Sequence, residues 1–392
     1  MKILQVTPYY SPSFAYGGPP RVVQGLSEEL VMLGHEVTVY TTDSLDGSKR
    51  INIGELSGNQ NGVNVCYFRN LCNKLAYNQR VFISQPLNRA LKEDIPDFDI
   101  IHLHEYRTFL SVYVMHECLR HKKPYVVCAH GSLLPFFQKK LLKNAFDLFW
   151  GRKVLERASA YIAVSKAEAD QYVKMKMDDS KIEVIYNGFD FKPFEKLPEA
   201  GSFRRKHLLG DSPFILFVGR VNKIKGIDFL LEAFARARSE IADLKLIMTG
   251  TDDGYLREVF NLAEKFSLND NFRFIGQLTE VEKLEALVDS NLFAYPSRYE
   301  VFGLAPVEAL ACSIPAIISK NSGLAEILKG IDYGLIAEPG NVDEISEMIV
   351  NIVRKPVVYR KMAAKALGVL KRTISFEQIA RQTETLYGKV LA

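Results

Sequence analysis

Cysteine is scarce in this chain: five among 392 residues, scattered at Cys66, Cys72, Cys118, Cys128 and Cys312 with no C-x-x-C spacing. An odd, dispersed set excludes a disulfide framework and points to reduced thiols in a cytosolic setting. Tryptophan is rarer still, with one residue, and 50 basic side chains nearly balance 46 acidic ones for a net charge of +4. That balance carries no charge signature of a nucleic-acid binder. No apolar run approaches the roughly 18 residues that a membrane span needs, and the opening MKILQVTPYY enters a strand pattern with no signal-peptide core. Hydrophobic residues, in contrast, make up 47% of the chain, which excludes disorder. The length then suits two or three domains, each able to bury a core without staples.

Short apolar, β-branched runs alternate with longer helical stretches. The early runs lie at 2–7 (KILQVT), 35–42 (HEVTVYTT), 63–68, 99–104 (DIIHLH), 124–129 (PYVVCA), 160–165 and 182–186. Several are apolar nearly throughout, as expected of parallel strands buried on both faces. Between the first two, Val22, Leu26, Leu30 and Leu33 share one helical face, and Gly34 follows as a stop. Residues 189–212 break the rhythm with two prolines, a Gly-Ser and many charges, which predicts a linker. The alternation restarts at 213–220 (PFILFVGR) and continues at 245–249, 271–275, 292–296, 314–319 and 334–338. The expected architecture is therefore α/β: two Rossmann-like, doubly wound parallel sheets, residues 1–188 and 213–374, facing across a cleft. Ligands of such sheets lie outside the carboxyl ends of the strands.

Four places could carry chemistry. After the first strand, Gly17 and Gly18 precede Pro19-Pro20 at a helix start, where free N–H groups and the helix dipole suit an anion. Gly-Gly-Pro is also ordinary loop punctuation, and it is not the G-x-G-x-x-G of nicotinamide binders. His130 ends the strand 124–129 and is followed by Gly131-Ser132, either a functional histidine or one satisfying its own loop. His102 and His104 share a strand face, but no third ligand stands at recognisable spacing, so no metal is expected. Arg220 and Lys225 flank one loop after the strand 213–220, a fork and a point charge that suit a pyrophosphate. Two solvated loop cations would look the same.

The segment 295–312 (YPSRYEVFGLAPVEALAC) is more specific. Glu300 lies in a loop and Glu308 eight residues on in a helix, with the N–H groups of Phe302, Gly303 and Leu304 at the helix start. Each carboxylate can grip a vicinal diol of a sugar. Alternatively Glu308 complements the helix dipole and Glu300 is solvated. A glycosidase also uses two carboxylates, but cations and anion-ready loops favour a phosphate-bearing ligand. Residues 279–282 (TEVE) read as a capping box without chemistry. Residues 133–157 mix Lys139, Lys140, Lys143, Arg152 and Lys153 with Phe136, Phe137, Phe146, Phe149 and Trp150. Such a helix either lies on an anionic membrane or packs its aromatics on the sheet.

Together, the GGP at 17–19, the His-Gly at 130–131, NGFD at 187–190, FVGR with a downstream Lys-Gly, and E-x₇-E from Glu300 to Glu308 resemble the retaining GT-B glycosyltransferases, specifically glycosyltransferase family 4. NGFD departs from the usual N-G-V/I-D, and Ser322-Gly323 stands where Gly-Gly is common. The resemblance implies sugar transfer from a UDP- or GDP-linked donor to a glycan or lipid-linked acceptor, with retention and without a metal or other cofactor. It places His130 and Glu300 at the transferred sugar and Glu308 on the ribose. Arg220, Lys225 and the N–H groups of Phe302, Gly303, Leu304 and Gly18, beside Gly17, would hold the diphosphate, and the loop after Gly276 the base. It further implies that 375–392 forms a helix crossing back to the first domain, and that the domains close on the donor. The expected setting is cytoplasmic, with a peripheral contact on an anionic inner membrane face left open and no nucleic-acid partner. Two other classes stay open: a sugar-nucleotide epimerase of the same architecture, and a non-catalytic sugar-nucleotide binding subunit.

Overall fold

Strands that are apolar on both faces have to be covered on both faces, and in a parallel sheet the connecting helices do so. The computed structural model, which describes residues 1–134, 140–268, 270–331 and 333–392, forms two units of this kind. Met1–Phe189 with Ile374–Ala392 make the first, and Asp190–Thr373 the second.

The first unit is built on β1 (Lys2–Val6), β2 (Glu36–Thr42), β3 (Gly58–Gln60), β4 (Val63–Phe68), β5 (Ile100–His104), β6 (Tyr125–Cys128), β7 (Ala160–Ala163) and β8 (Ile182–Val184). They lie in the order β3-β4-β2-β1-β5-β6-β7-β8. Every pair is parallel except β3 with β4, so an antiparallel edge strand is added to the expected parallel sheet. Its three residues, Gly-Asn-Gln, carry no hydrophobic periodicity by which the sequence could announce them. β5, β6 and β7 are buried at every position. The register sets His104 beside Cys128 and Leu103 beside Val6, bringing their carboxyl ends together.

The helix Phe376–Leu391 belongs to this unit and packs on the helix Pro19–Met32. Its first ring, Phe376, is clasped from two sides: a Cβ on Gly25 or on Gly188 would meet it at 2.2 Å. Two glycines are needed there because the ring has no room to retreat. Further along the helix, Tyr387 is fully buried.

The second unit holds β9 (Phe214–Val218), β10 (Lys245–Thr249), β11 (Phe272–Gly276), β12 (Leu292–Tyr295), β13 (Ala316–Ser319) and β14 (Ile336–Ala337), all parallel, in the order β11-β10-β9-β12-β13-β14. The expected linker at 189–212 is corrected here. Residues from Asp190 onward are part of this unit and include the helix Ser202–Lys206. Phe203 is fully buried near Phe214, and the Arg204 guanidinium lies 4.8 Å from the Phe214 ring centre. Arg204 also donates to Asp289 O, Ser212 O and the Asn291 side chain. Charge in this stretch reads as solvation, yet one buried ring and the several donors of one guanidinium suffice to dock it.

Of the basic aromatic stretch, Phe136, Phe137 and Lys139 lie outside the described residues, as does the side chain of Lys140. The remainder forms the helix Lys140–Phe146, a π-helical turn Asp147–Gly151 and the helix Arg152–Glu156. Phe146 packs against the core and Val154 and Leu155 are buried, while Leu141, Leu142, Leu148 and Phe149 are 59–85% exposed. Among the described residues, no helix is long and apolar enough to cross a membrane.

Candidate functional site

In the second unit the site starts from glycines that let strand ends approach. Gly250 has φ +139, and a Cβ there would meet Gly219 O at 1.8 Å, so the ends of β9 and β10 touch through backbone. Gly226 has φ +66, and a Cβ there would meet Pro296 O at 2.0 Å. This second contact presses the loop after β9 onto the loop after β12. Arg298 completes the clasp: its N–H donates to Ile224 O at 2.9 Å, its guanidinium to Lys223 O at 3.0 Å, and its fork to both oxygens of Asp228.

Between these clasped loops Lys225 Nζ donates to Glu300 Oε2 at 2.7 Å and stands 5.0 Å from the Tyr295 ring centre. Both side chains of the pair are under 20% exposed. Burial opposes the ammonium charge, but the Glu300 carboxylate and the Tyr295 hydroxyl outweigh it and raise the lysine above its ordinary value. Arg220 takes a different partner, Asp253, at 2.7 Å, and Asn222 shares that carboxylate at 3.0 Å. Arg220 and Lys225 thus both reach the carboxyl end of β9, each bridged to an acid.

Glu308 sits in the helix Leu304–Ala311, whose N-cap is Gly303 at φ +100. Lys283 donates to Glu308 Oε1 at 2.8 Å and also pairs with Glu280. Lys283 was not singled out from the sequence. Its helix Glu280–Asp289 starts at a reciprocal capping box between Thr279 and Glu282, so the motif set aside as structural is what aims this lysine. Phe302 is buried, and Val301 O and Phe302 O accept from Gly323 N and Leu324 N, which ties the start of one helix to the next. Ser322 caps the helix Gly323–Leu328 through its side chain. Gly276 closes β11 at φ +87, and its carbonyl accepts from Gly250 N at 2.8 Å.

In the first unit the loop after β1 is built from tyrosines. The rings of Tyr9 and Tyr16 stack at 4.6 Å, and Tyr9 OH donates to Glu105 at 2.6 Å. Gly17, at φ +106, turns this loop into Gly18, the N-cap of the helix Pro19–Met32. Two neighbouring strand ends carry non-glycine residues in the left-handed region: Glu105 (φ +66) after β5 and His130 (φ +48) after β6. Each such residue costs roughly 1–3 kcal/mol, a strain that clusters at functional sites.

Glu168 supports the His130–Gly131 turn from beneath. It is fully buried, and its oxygens accept from Gly131 N and from Val164 N at 2.8 Å. Burial pushes this carboxyl up to about 7. Ser165-x-x-Glu168 looks like another capping box, and Ser165 does accept from Glu168 N, but the Glu168 side chain turns away to the histidine loop. That diversion hid it. Arg107 clamps the same loop by donating to Ser132 O and Leu133 O while pairing with Asp147.

His130 Nε2 is 2.9 Å from His104 Nδ1, and Cys128 Sγ is 3.7 Å from His130 Nδ1. Potential ligand atoms of His102, His104 and Cys128 lie within 4.8 Å of one another, a third neighbour that strand spacing could not show. Both ring nitrogens of His104 are already engaged, with His130 and Gln5. The group therefore reads as a hydrogen-bonded cluster.

Two doubly wound α/β units, with cations, carboxylates and strained turns at strand carboxyl ends, define the two-Rossmann class of sugar-transferring folds known as GT-B. The backbone is similar to that of Anabaena HepE solved with UDP and glucose, with a TM-score of 0.77 at 20% identity over 99% of this chain and 100% of that one. It is also similar to sucrose-phosphate synthase of Thermosynechococcus elongatus, with a TM-score of 0.75 at 21% identity over 100% and 99%. Residues 16–192 match Glycosyltransferase Family 4, and residues 200–367 match Glycosyl transferases group 1. An uncharacterized glycosyltransferase of Methanocaldococcus jannaschii is 28% identical over 99% of this chain and 98% of its own length. The N-acetyl-alpha-D-glucosaminyl L-malate synthase of Bacillus anthracis is 23% identical over 96% and 94%. The chain belongs to the GT-B, family 4-like glycosyltransferases. The epimerase alternative is not favoured.

One pH effect follows from the cluster. Burial pulls His130 down to about 4 from an ordinary 6.5, with Asn187 opposing, and His104, His102 and Cys128 packed around it. Below pH 6.5 the unfolded chain takes up a proton that the folded one refuses, so stability falls as pH falls towards 4. Urea unfolding at pH 7.5 and pH 5 should show the wild type losing about 2 kcal/mol more than His130→Gln. Glu168 acts with the opposite sign but in both proteins, so it cancels. Equal losses would contradict the assignment.

Proposed function

We propose that the protein is a retaining glycosyltransferase using a nucleotide-diphosphate sugar, UDP- or GDP-linked, with a glycan or lipid-linked hydroxyl acceptor. The observation that carries this reading is the pair of Lys–Glu bridges, Lys225–Glu300 and Lys283–Glu308, at the strand carboxyl ends of the second unit. A carboxylate that is to grip sugar hydroxyls in a partly dry site needs a counter-charge while the donor is absent, because a buried unpaired charge is expensive. When the donor arrives, Lys225 exchanges Glu300 for phosphate oxygens and Glu300 exchanges Lys225 for the hydroxyls of the transferred sugar. Glu308 takes the ribose hydroxyls and keeps Lys283 as its orienting partner. Arg220 and the N–H groups of Phe302, Gly303 and Leu304 add to the diphosphate cradle, with the base beside Gly276. The assignment of Gly17, Gly18 and His130 to the donor rests on the family resemblance.

Breaking the anomeric bond builds negative charge on the departing diphosphate and positive charge on the sugar. Prealigned cations and N–H groups stabilise that anion without reorganisation, usually the largest catalytic contribution. They fill the place a divalent ion takes elsewhere, so the reaction needs no metal. With attack on the face the leaving group departs from, the phosphate oxygen assists removal of the acceptor proton, and no side-chain nucleophile is required. HepE, solved with UDP and glucose, supports a nucleotide-sugar donor.

Diphosphate release and equilibrium binding test the two carboxylates separately. Glu308→Ala should weaken nucleotide binding about tenfold or more, the worth of a charged hydrogen bond. Glu300→Ala should bind UMP or GMP normally yet lose most sugar transfer. Full activity in either variant removes that residue's role. Transfer should persist in EDTA, and a loss restored by Mg²⁺ would overturn the metal-free reading.

The exposed Leu141, Leu142, Leu148 and Phe149, interleaved with Lys143, Arg152 and Lys153, favour a peripheral contact with anionic lipid as the route to a lipid-linked acceptor. Each inserted side chain contributes about 2 kcal/mol. Leu148→Ser with Phe149→Ser should therefore reduce co-sedimentation with phosphatidylglycerol vesicles at least tenfold, on the order expected for two such groups. Unchanged binding would refute the contact.

A further inference from the structure

The proposed donor contacts leave a run of buried polar side chains unused. From His130 the run passes to His104 at 2.9 Å, and from His104 Nε2 to Gln5 Oε1 at 2.7 Å. Gln5 Nε2 then reaches the Tyr387 hydroxyl at 3.4 Å, and that oxygen lies 2.7 Å from His102 Nδ1. Gln5, His102, His104 and Tyr387 are each no more than 1% exposed. The run crosses β1, β5, the turn after β6 and the C-terminal helix, so the packing of Phe376 between Gly25 and Gly188 places its far end.

The direction of each hydrogen bond is constrained by the amide of Gln5, which has one accepting and one donating end. Its carbonyl accepts from His104, so His104 carries its proton on Nε2. Burial and the two neighbouring histidines keep His104 neutral. Its Nδ1 is then a lone pair and accepts from His130 Nε2–H. At the other end the Gln5 amide donates to Tyr387 oxygen, which leaves the tyrosine proton for His102 Nδ1. The links from His130 through His104 to Gln5 share this polarity, and turning either one alone would set two lone pairs or two donors against each other in a dry interior. The thiol of Cys128, 3.7 Å from His130 Nδ1, is a weak donor facing that nitrogen, consistent with a lone pair there.

We propose that Gln5, His104 and Tyr387 are positioning residues that hold His130 as its Nε2–H tautomer, so that its Nδ1 is a hydrogen-bond acceptor. The consequence for catalysis rests on the reading above that His130 meets the transferred sugar: the ring then receives a hydrogen bond from a sugar hydroxyl instead of giving one. Tyr387 brings the C-terminal helix into this control, since the hydroxyl that orients Gln5 comes from that helix.

The test is a long-range ¹H–¹⁵N correlation spectrum of the full chain labelled on its seven histidines, with His130 assigned by loss of its signals in His130→Gln. The expected pattern is a protonated Nε2 and an unprotonated Nδ1. A protonated Nδ1, or an average of both forms, overturns the proposal on the wild-type protein alone. Tyr387→Phe and Gln5→Met should each shift His130 towards a mixture, and should lower kcat for transfer about tenfold while donor KM changes less than about twofold. An unchanged His130 tautomer in both variants also overturns it; should one fail to fold, the other decides. If His130→Ala transfers sugar at the wild-type rate while the spectrum is as expected, the sugar contact of His130 falls and the positioning network stands.

Discussion

Lys225 and Glu300 can bridge only because two loops are held in backbone contact, and the contact is a glycine against a proline carbonyl. Gly226 at φ +66 lies so close to Pro296 O that any side chain would overlap it. Arg298 adds bonds to Lys223 O and Ile224 O across the same seam and anchors itself on Asp228. With the loops locked, a lysine and a glutamate separated by 75 positions sit in a partly buried bridge at a geometry their flexible side chains would not otherwise keep. Surface pairs lose most of their value to side-chain entropy and solvent, whereas this pair is prepaid by the fold. The same principle explains Lys283 and Glu308, where a capped helix start does the aiming.

Both bridges have a dual character. In the free protein they set a cation against each carboxylate. In the proposed transfer only Lys225 and Glu300 exchange partners, the lysine for diphosphate oxygens and the glutamate for sugar hydroxyls, while Lys283 stays on Glu308. The preorganised groups lie where open α/β sheets take their ligands, outside the carboxyl ends of the strands.

The first unit solves a different problem, the orientation of one histidine. His130 is reached from beneath by Glu168 through Gly131 N, from the side by Arg107 through Ser132 O and Leu133 O, and from the sheet interior by His104. Its left-handed backbone makes the turn tight, and the buried polar run behind it makes the ring's protonation pattern a property of the fold. Arg107 also pairs with Asp147, at the π-helical turn of the segment that exposes Leu148 and Phe149. The histidine loop and that apolar surface are therefore mechanically joined.

The sequence by itself determined the alternation of strands and helices, the two-sheet architecture and the positions of Arg220, Lys225, Glu300 and Glu308 at strand ends, because hydrophobic period and glycine punctuation are local signals. It also marked His130. It misjudged 190–212, where charge concealed a docked helix held by Phe203 and Arg204, and it missed β3, which has no period to read. Lys283, Glu168, Gln5 and Tyr387 were invisible for one reason: each matters through a partner distant in sequence, as with Gln5 and Tyr387, 382 positions apart. Strand order and loop contact decide such pairings, and no local pattern encodes them. Only the tertiary structure could show that the two sequence-marked carboxylates are each held by a lysine, and that the marked histidine is held by a second histidine.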